Sequence, residues 1–174
     1  QVFSGLVQWD SNLNILPDIA QSWTVSPDGL EYLFELRHNA RFHTGRLVTA
    51  DDFVYSFTRL LDPRQVSPGI IQDYLKRVEG VEDFEAGRAS GIRGLQALDP
   101  FTLLVRLERP YASFLSVLAM DQAKVVPREE IERMGPEGFA RHPVGSGPFR
   151  LAEWNPMTRT VLIANEGYFG TPAH

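Results

Sequence analysis

The sequence predicts an α+β fold with a mixed, largely antiparallel sheet and packed helices. Two observations predict it. Segments of alternating apolar residues are separated by turns rich in Pro and Gly, and stretches with helical periodicity lie between them without strict β-α-β alternation. The chain has 174 residues and a hydrophobic fraction of 43%, which is enough for one ordinary domain, or for one domain plus part of another.

The first predicted elements are two strands, at residues 23–25 and 32–36. The turn between them, at 26–29, contains Pro27 and Gly29. Pro presets φ and Gly accepts a positive φ, so this is the chemistry of a tight turn. Apolar residues recur at every second position of the second strand, which is typical of a half-buried antiparallel strand.

A helix is predicted to begin after Thr49 and to end before Asp62-Pro63. Thr49 and Asp52 have the spacing of a capping box, in which each side chain bonds to the backbone of the other residue. The residues that follow form the apolar stripe of an amphipathic helix, at Phe53, Val54, Phe57, Leu60 and Leu61.

The middle of the chain has weaker patterns. One short helix is expected from Ser67-Pro68 to Tyr74 and another turn or two of helix over 81–86. Residues 95–98 and 102–107 are predicted to pair as strands through a turn at Asp99-Pro100.

Two further helices and a hairpin complete the prediction. A helix is expected over 111–118, and another over 127–134 with Gly135 as its C-terminal stop. Residues 149–154 and 160–164 are expected to pair as a hairpin.

Composition excludes several classes of protein. There are 17 Lys+Arg against 22 Asp+Glu, a net charge of -5, so a nucleic-acid binder is disfavoured. The absence of Cys removes disulfides, thiolate zinc sites and Cys nucleophiles. Residues 1–36 contain five acidic residues and no Lys or Arg. We interpret them as a solvated acidic face, with a functional acidic patch as the alternative.

No catalytic or metal-binding constellation is predicted. The four histidines (His38, His43, His142 and His174) do not have the spacing of a helical metal site. Ser146 lies in a Gly-Ser-Gly-Pro loop, but a strand is expected to follow it, whereas a nucleophile elbow or a phosphate loop leads into a helix. The loop is therefore interpreted as backbone that passes close to another surface or to a ligand, with simple packing as the alternative. No cofactor is expected.

Eight short motifs, in order along nearly the whole chain, carry a resemblance to a known family. They are Gly5-Leu6-Val7 and the segments 17–23, 26–32, 34–37, 42–45, 49–56, 143–149 and 165–170. Together they resemble the family 5 extracellular solute-binding proteins, the dipeptide- and oligopeptide-binding components of ABC importers.

The resemblance implies a fragment of a periplasmic-binding-protein-like type II fold. Full-length members have two ligand-gripping lobes and an extra domain, and they close on ligand by hinge motion. Residues 1–142 are expected to form the extra domain, and 143–174 to begin the first ligand-binding lobe. Tyr74 and Ser146 are then the candidate ligand-binding residues. Gly145, Gly147 and Pro148 are the expected interdomain junction.

The resemblance also implies a function. The full-length protein is expected to be a monomer that captures peptides outside the cytoplasm, in the periplasm or anchored by lipid at the cell surface. It would deliver them to an ABC transporter permease and bind no nucleic acid. The chain alone is expected to bind peptide weakly or not at all, since one wall of a cleft cannot bury a ligand.

Three alternatives stay open at this point. The first is a receptor of the same family for an oligosaccharide, a nickel complex or haem. The second is a cytoplasmic regulator that reuses this domain beside a DNA-binding module. The third, an enzyme, has the least support because no catalytic group assembles.

Overall fold

The computed structural model describes residues 1–64 and 71–171. The strands are β1 Val7–Trp9, β2 Ile15–Pro17, β3 Ala20–Val25, β4 Glu31–Leu36, β5 Leu95–Asp99, β6 Thr102–Arg106, β7 Phe149–Asn155 and β8 Arg159–Ala164. The helices are α1 Ala50–Leu60, α2 Ile71–Leu75, α3 Val81–Glu85, α4 Phe114–Leu118 and α5 Arg128–Arg141, and a 3₁₀ turn spans Asp121–Ala123.

A four-stranded antiparallel sheet in the order β3-β4-β6-β5 forms the centre of the fold. Its register sets Phe34 of β4 opposite Trp23 on one side and Leu103 on the other. The inward residues Tyr32, Phe34 and Leu36 are buried, as the period-two pattern predicts. Helix α1 packs on β5 and β6 and covers the buried face. The α+β prediction with antiparallel pairing is confirmed.

Helix α1 has the predicted capping box. The backbone N–H of Thr49 donates to the Asp52 carboxylate at 2.8 Å. The same carboxylate receives two N–H groups of Arg46, at 2.9 and 2.7 Å, and Arg46 also pairs with Glu129 of α5. Asp52 therefore does more than cap its helix, because through Arg46 it ties α1 to the start of α5.

Two separate hairpins lie outside the central sheet. The predicted pairing of β7 with β8 is confirmed, and Phe149 lies opposite Ala164. The pairing of β1 with β2 was not predicted. Its turn is held by Asp10, whose Oδ1 accepts the backbone N–H groups of Asn12 and Asn14 at 2.8 Å each. An Asp followed by Ser-Asn-Leu-Asn is turn chemistry that could have indicated this hairpin.

Two helices differ from their predicted bounds. Helix α4 begins at Phe114 rather than at residue 111, because Tyr111 accepts the Phe114 N–H in a preceding turn at 3.0 Å. Gly135 interrupts α5 at φ 70° and ψ 166°, so the predicted stop is correct for the first half. The chain then resumes a helix from Pro136, whose fixed φ suits a first helical position.

The other short elements agree with the prediction where they are described. Helix α3 and the pair β5–β6 are confirmed. Helix α2 covers Tyr74, but the expected start at Ser67-Pro68 lies outside the described residues. None of the helices in the described part of the chain is long and apolar enough to cross a membrane.

Candidate functional site at the junction loop

The segment 143–149, here called the junction loop, lies against the first residues of the chain. Gly147 N–H donates to Val2 O at 2.9 Å and Phe149 N–H donates to Gln1 O at 3.2 Å. A Cβ atom at Gly145 would overlap the carbonyl oxygen of Val2, and one at Gly147 would overlap that of Gln1. Both glycines are thus required by close backbone approach, the role that the sequence assigned to this loop.

The turn at 42–45 closes the other side of the junction loop through His43. The backbone N–H of His43 donates to Gly145 O at 2.8 Å. The ring Nδ1 accepts the Gly145 N–H at 3.2 Å, and Nε2 lies 3.2 Å from Gly147 O. A carbonyl oxygen only accepts, so Nε2 carries the proton and the ring is neutral. Burial, the largest cause, lowers the pKa of His43; the hydrogen bond to Gly147 O opposes this shift, and Arg150 adds to it.

The motif at 165–170 joins the same cluster through Asn165. Its amide Nδ2 donates to Gly147 O at 2.9 Å, and its backbone N–H donates to Pro148 O at 2.8 Å. Its Oδ1 accepts from Arg150 at 2.8 Å. Three other parts of the chain therefore meet at the junction loop: the chain start, the 42–45 turn and residue 165.

Ser146 is completely buried at the centre of this cluster. Its side chain is 0% exposed, and its Oγ has no hydrogen-bond partner among residues 1–64 and 71–171. A buried hydroxyl without a partner is costly. Contact between Ser146 Oγ and a ligand would require the loop to move.

Tyr74 lies in a different part of the molecule. It is partly buried on α2, and its ring stacks on that of Tyr111 with centroids 6.4 Å apart. The guanidinium of Arg77 lies 4.4 Å from the centre of the Tyr111 ring. The structure therefore groups Gly145, Ser146, Gly147 and Pro148 but gives Tyr74 separate surroundings.

Asp18 departs from the predicted solvated acidic face. It is 4% exposed, and its Oδ2 accepts the Gly5 N–H at 2.8 Å. Burial, the largest cause, raises the pKa of Asp18, whereas the Gly5 hydrogen bond and Lys124 act against that rise. Burial lowers the pKa of Lys124, with Asp18 opposing. The interpretation of residues 1–36 as a solvated acidic face is therefore wrong for Asp18. Its apolar neighbours Ile19 and Ala20 are the local sign of its burial.

A cavity of about 460 Å³ lies beside Asp18 and Lys124 and extends to Trp9, Pro148 and Tyr168. It adjoins the junction loop through Pro148. No group of three or more His, Asp or Glu side chains in the described ranges is arranged to hold a metal ion.

Comparison with known proteins assigns the family. Residues 14–174 match the family described as Bacterial extracellular solute-binding proteins, family 5 Middle. The chain belongs to this family. The dipeptide-binding protein DppE of Bacillus subtilis is 34% identical over 172 residues, which are 97% of this chain and 31% of that protein. Heme-binding protein A of Haemophilus influenzae is 32% identical over 184 residues, covering 97% of this chain and 32% of that protein.

Solved structures of family 5 proteins have the same fold. The crystal structure of Haemophilus influenzae OppA in complex with the peptide RPPGFSPFR superimposes with a TM-score of 0.89 at 29% identity, over 97% of this chain and 33% of that chain. The expectation that the chain is a fragment of a type II periplasmic-binding-protein-like fold is thereby confirmed. This chain spans about a third of the length of the family 5 relatives that it matches.

Proposed function

We propose that this chain is part of an extracytoplasmic receptor that captures peptides and delivers them to an ABC importer. The observation that carries the proposal is membership of family 5 together with similarity to DppE, which is named as a dipeptide-binding protein. Binding rather than catalysis agrees with the chemistry of the described residues. Ser146 Oγ, the candidate nucleophile of the sequence, is buried, and no base among the described residues forms a hydrogen bond with it.

We propose that the permease of the importer is the partner of the full-length receptor and that the receptor acts as a monomer. Haem is the second candidate ligand. Heme-binding protein A aligns with the same share of this chain as DppE does, and its sequence identity is nearly the same. The same proposal places the receptor outside the cytoplasm, either in the periplasm or anchored by lipid at the cell surface.

The division of the chain is proposed at residues 142 and 143, with an extra domain before it and the start of a ligand-binding lobe after it. The junction loop carries the interdomain junction at Gly145, Gly147 and Pro148. The hydrogen bonds from Gly147 and Phe149 to the chain start support a junction here, because they tie the first residues to the second part.

Tyr74 and Ser146 are proposed as the ligand-side residues of this chain. Partial exposure of Tyr74 and its stacking on Tyr111 support an aromatic platform, on which a peptide group can lie. For Ser146 the supporting observation is its hydroxyl, which has no hydrogen-bond partner among the described residues.

Isothermal titration calorimetry tests the function on a receptor that carries this chain at the length of its relatives. Di- to pentapeptides are expected to bind and haem to bind weakly or not at all. Tyr74→Leu should weaken peptide binding by up to about tenfold, the worth of one aromatic contact. Tyr55→Leu, a partly exposed tyrosine of α1, is the matched control and should leave binding unchanged. Binding of haem alone would overturn the peptide proposal.

A further inference from the structure

The junction loop is attached to the 42–45 turn chiefly by one residue, His43, whose side chain is titratable. His43 uses its backbone N–H and both ring nitrogens on residues 145–147, more than a hundred positions along the chain. Gly145 takes two of these three contacts. It is buried, and its other side contacts the Val2 backbone. The state of the His43 ring therefore bears directly on how the loop is held.

Only the neutral ring with its proton on Nε2 satisfies both contacts. Protonation would add a hydrogen to Nδ1, which now accepts the Gly145 N–H, and two N–H donors would then face each other. The contact from Nε2 to Gly147 O survives protonation, because that nitrogen already donates. One of the two ring contacts is therefore lost in acid while the other remains.

The charges around the ring do not stabilise an imidazolium. Arg150 of β7 is the charged side chain whose field acts on His43, and it disfavours a second positive charge. Residues 143–149 and 1–7 contain no ionisable side chain, and Asn165, which shares Gly147 O, is neutral. On the turn itself, Arg41 donates to Gly45 O and Arg46 pairs with Asp52 and Glu129.

We propose that His43 is a pH-sensitive latch, whose neutral ring holds the junction loop to the 42–45 turn by accepting the Gly145 N–H and whose protonated ring releases that N–H, while the backbone bond from His43 N–H to Gly145 O remains. This inference concerns the fold of the chain and stands apart from the ligand proposed above.

The direction of the effect follows from linkage. His43 has a depressed pKa in the folded chain, whereas the ordinary value is about 6.5. Its stabilising contribution is therefore complete above pH 6.5. It is lost as the pH falls below that value towards the folded pKa, since the released or unfolded state binds the proton more readily.

The first measurement needs no variant. Long-range ¹H–¹⁵N NMR spectra of the chain should show His43 with its proton on Nε2 at neutral pH and a titration midpoint below 6.5. The Gly145 amide signal should shift with the same midpoint. A midpoint at or above 6.5, or a Gly145 amide that does not respond, would overturn the latch.

Hydrogen exchange at 145–149, corrected for intrinsic rates, is the second measurement. On lowering the pH from 7 to 5, protection should fall by up to about tenfold for each unit of pKa depression that the NMR titration gives. His43→Asn keeps an acceptor for Gly145 but does not titrate, so its protection should change less than about twofold. The exposed His142→Asn is the matched control and should behave like the wild type. An equal pH response in His43→Asn would contradict the proposal.

Discussion

The central sheet and the junction loop each have a buried part, yet different atoms hold the two parts together. In the sheet, side chains such as Phe34 and Leu103 fill the interior and are 0% exposed. In the junction loop, Gly145 and Gly147 have no side chains, and backbone touches backbone. The sheet is therefore destabilised when atoms are removed, whereas the loop is destabilised when atoms are added.

The largest effect is expected from emptying the sheet. Phe34→Ala should lower the free energy of unfolding by about 3–5 kcal/mol, since it leaves a cavity in the buried core on the inner face of β4. Urea denaturation measures this loss. Val25→Ala, at a residue of β3 that is 43% exposed, is the control and should change stability by less than about 0.5 kcal/mol. Equal losses in both variants would contradict side-chain packing as the basis of the sheet.

Adding one methyl group to the loop should have the next largest effect. Gly145→Ala should cost about 1–3 kcal/mol in the same assay, because its Cβ overlaps the Val2 carbonyl. Gly91→Ala has nothing within 4 Å of the added Cβ and should stay within about 0.5 kcal/mol of the wild type. If Gly145→Ala is as stable as Gly91→Ala, the contrast between loop and sheet fails.

An ion-pair cluster connects the two regions, since α1 packs on the sheet and α5 leads into the junction loop. Arg46→Met leaves the Asp52 side chain, only 8% exposed, without its cation and should cost about 1–2 kcal/mol. This loss of stability is modest because the Arg46 side chain is 38% exposed and its charge is partly screened by water.

Arg128→Met is the matched control for that cluster. Its pair with Glu132 is exposed on both sides and should contribute less than about 0.5 kcal/mol. Thermal unfolding of the two variants side by side checks the difference. A larger loss in Arg128→Met would show that surface pairing, not burial, sets the strength of these contacts.

The smallest expected effect is a pH dependence at Asp18, next to the junction. Its folded pKa is raised, so its contribution to stability is complete below the ordinary pKa of about 3.9 and is lost as the pH rises through the folded value. Asp18→Asn keeps an acceptor for Gly5 and should remove this decline. Unfolding free energies at pH 4.5 and 7.5 test it. A decline of unchanged size in Asp18→Asn would assign the pH dependence to another group.

Sequence patterns identified the sheet better than the junction. Alternation in β4 and the stripe of α1 are local, and both elements form as predicted. The β1–β2 hairpin was missed because strands of three residues are too short for a clear period. Gly135 is correctly predicted as a stop. The helix that resumes after it is not predicted, because that short second half has too few apolar residues to show a helical period.

Single residues at the candidate site were harder to predict than elements. The need for small residues at 145 and 147 was predicted, because glycines in a loop indicate close approach. The burial of Asp18 is not predicted, because the five acidic residues of 1–36 are interpreted together although the neighbours Ile19 and Ala20 are apolar. The role of His43 has no local sign in the sequence, because its partners lie about a hundred residues away.

The sequence alone is enough to predict the periodic elements, their turns and caps and the absence of cysteine chemistry, and its eight ordered motifs carry the resemblance to family 5. These properties depend on residues within a few positions of one another, or on their order along the chain. The convergence of Val2, His43 and Asn165 on the junction loop becomes visible in the folded chain. Such contacts join residues far apart in sequence, and they form because packing of the whole chain brings buried backbone groups to the partners they require.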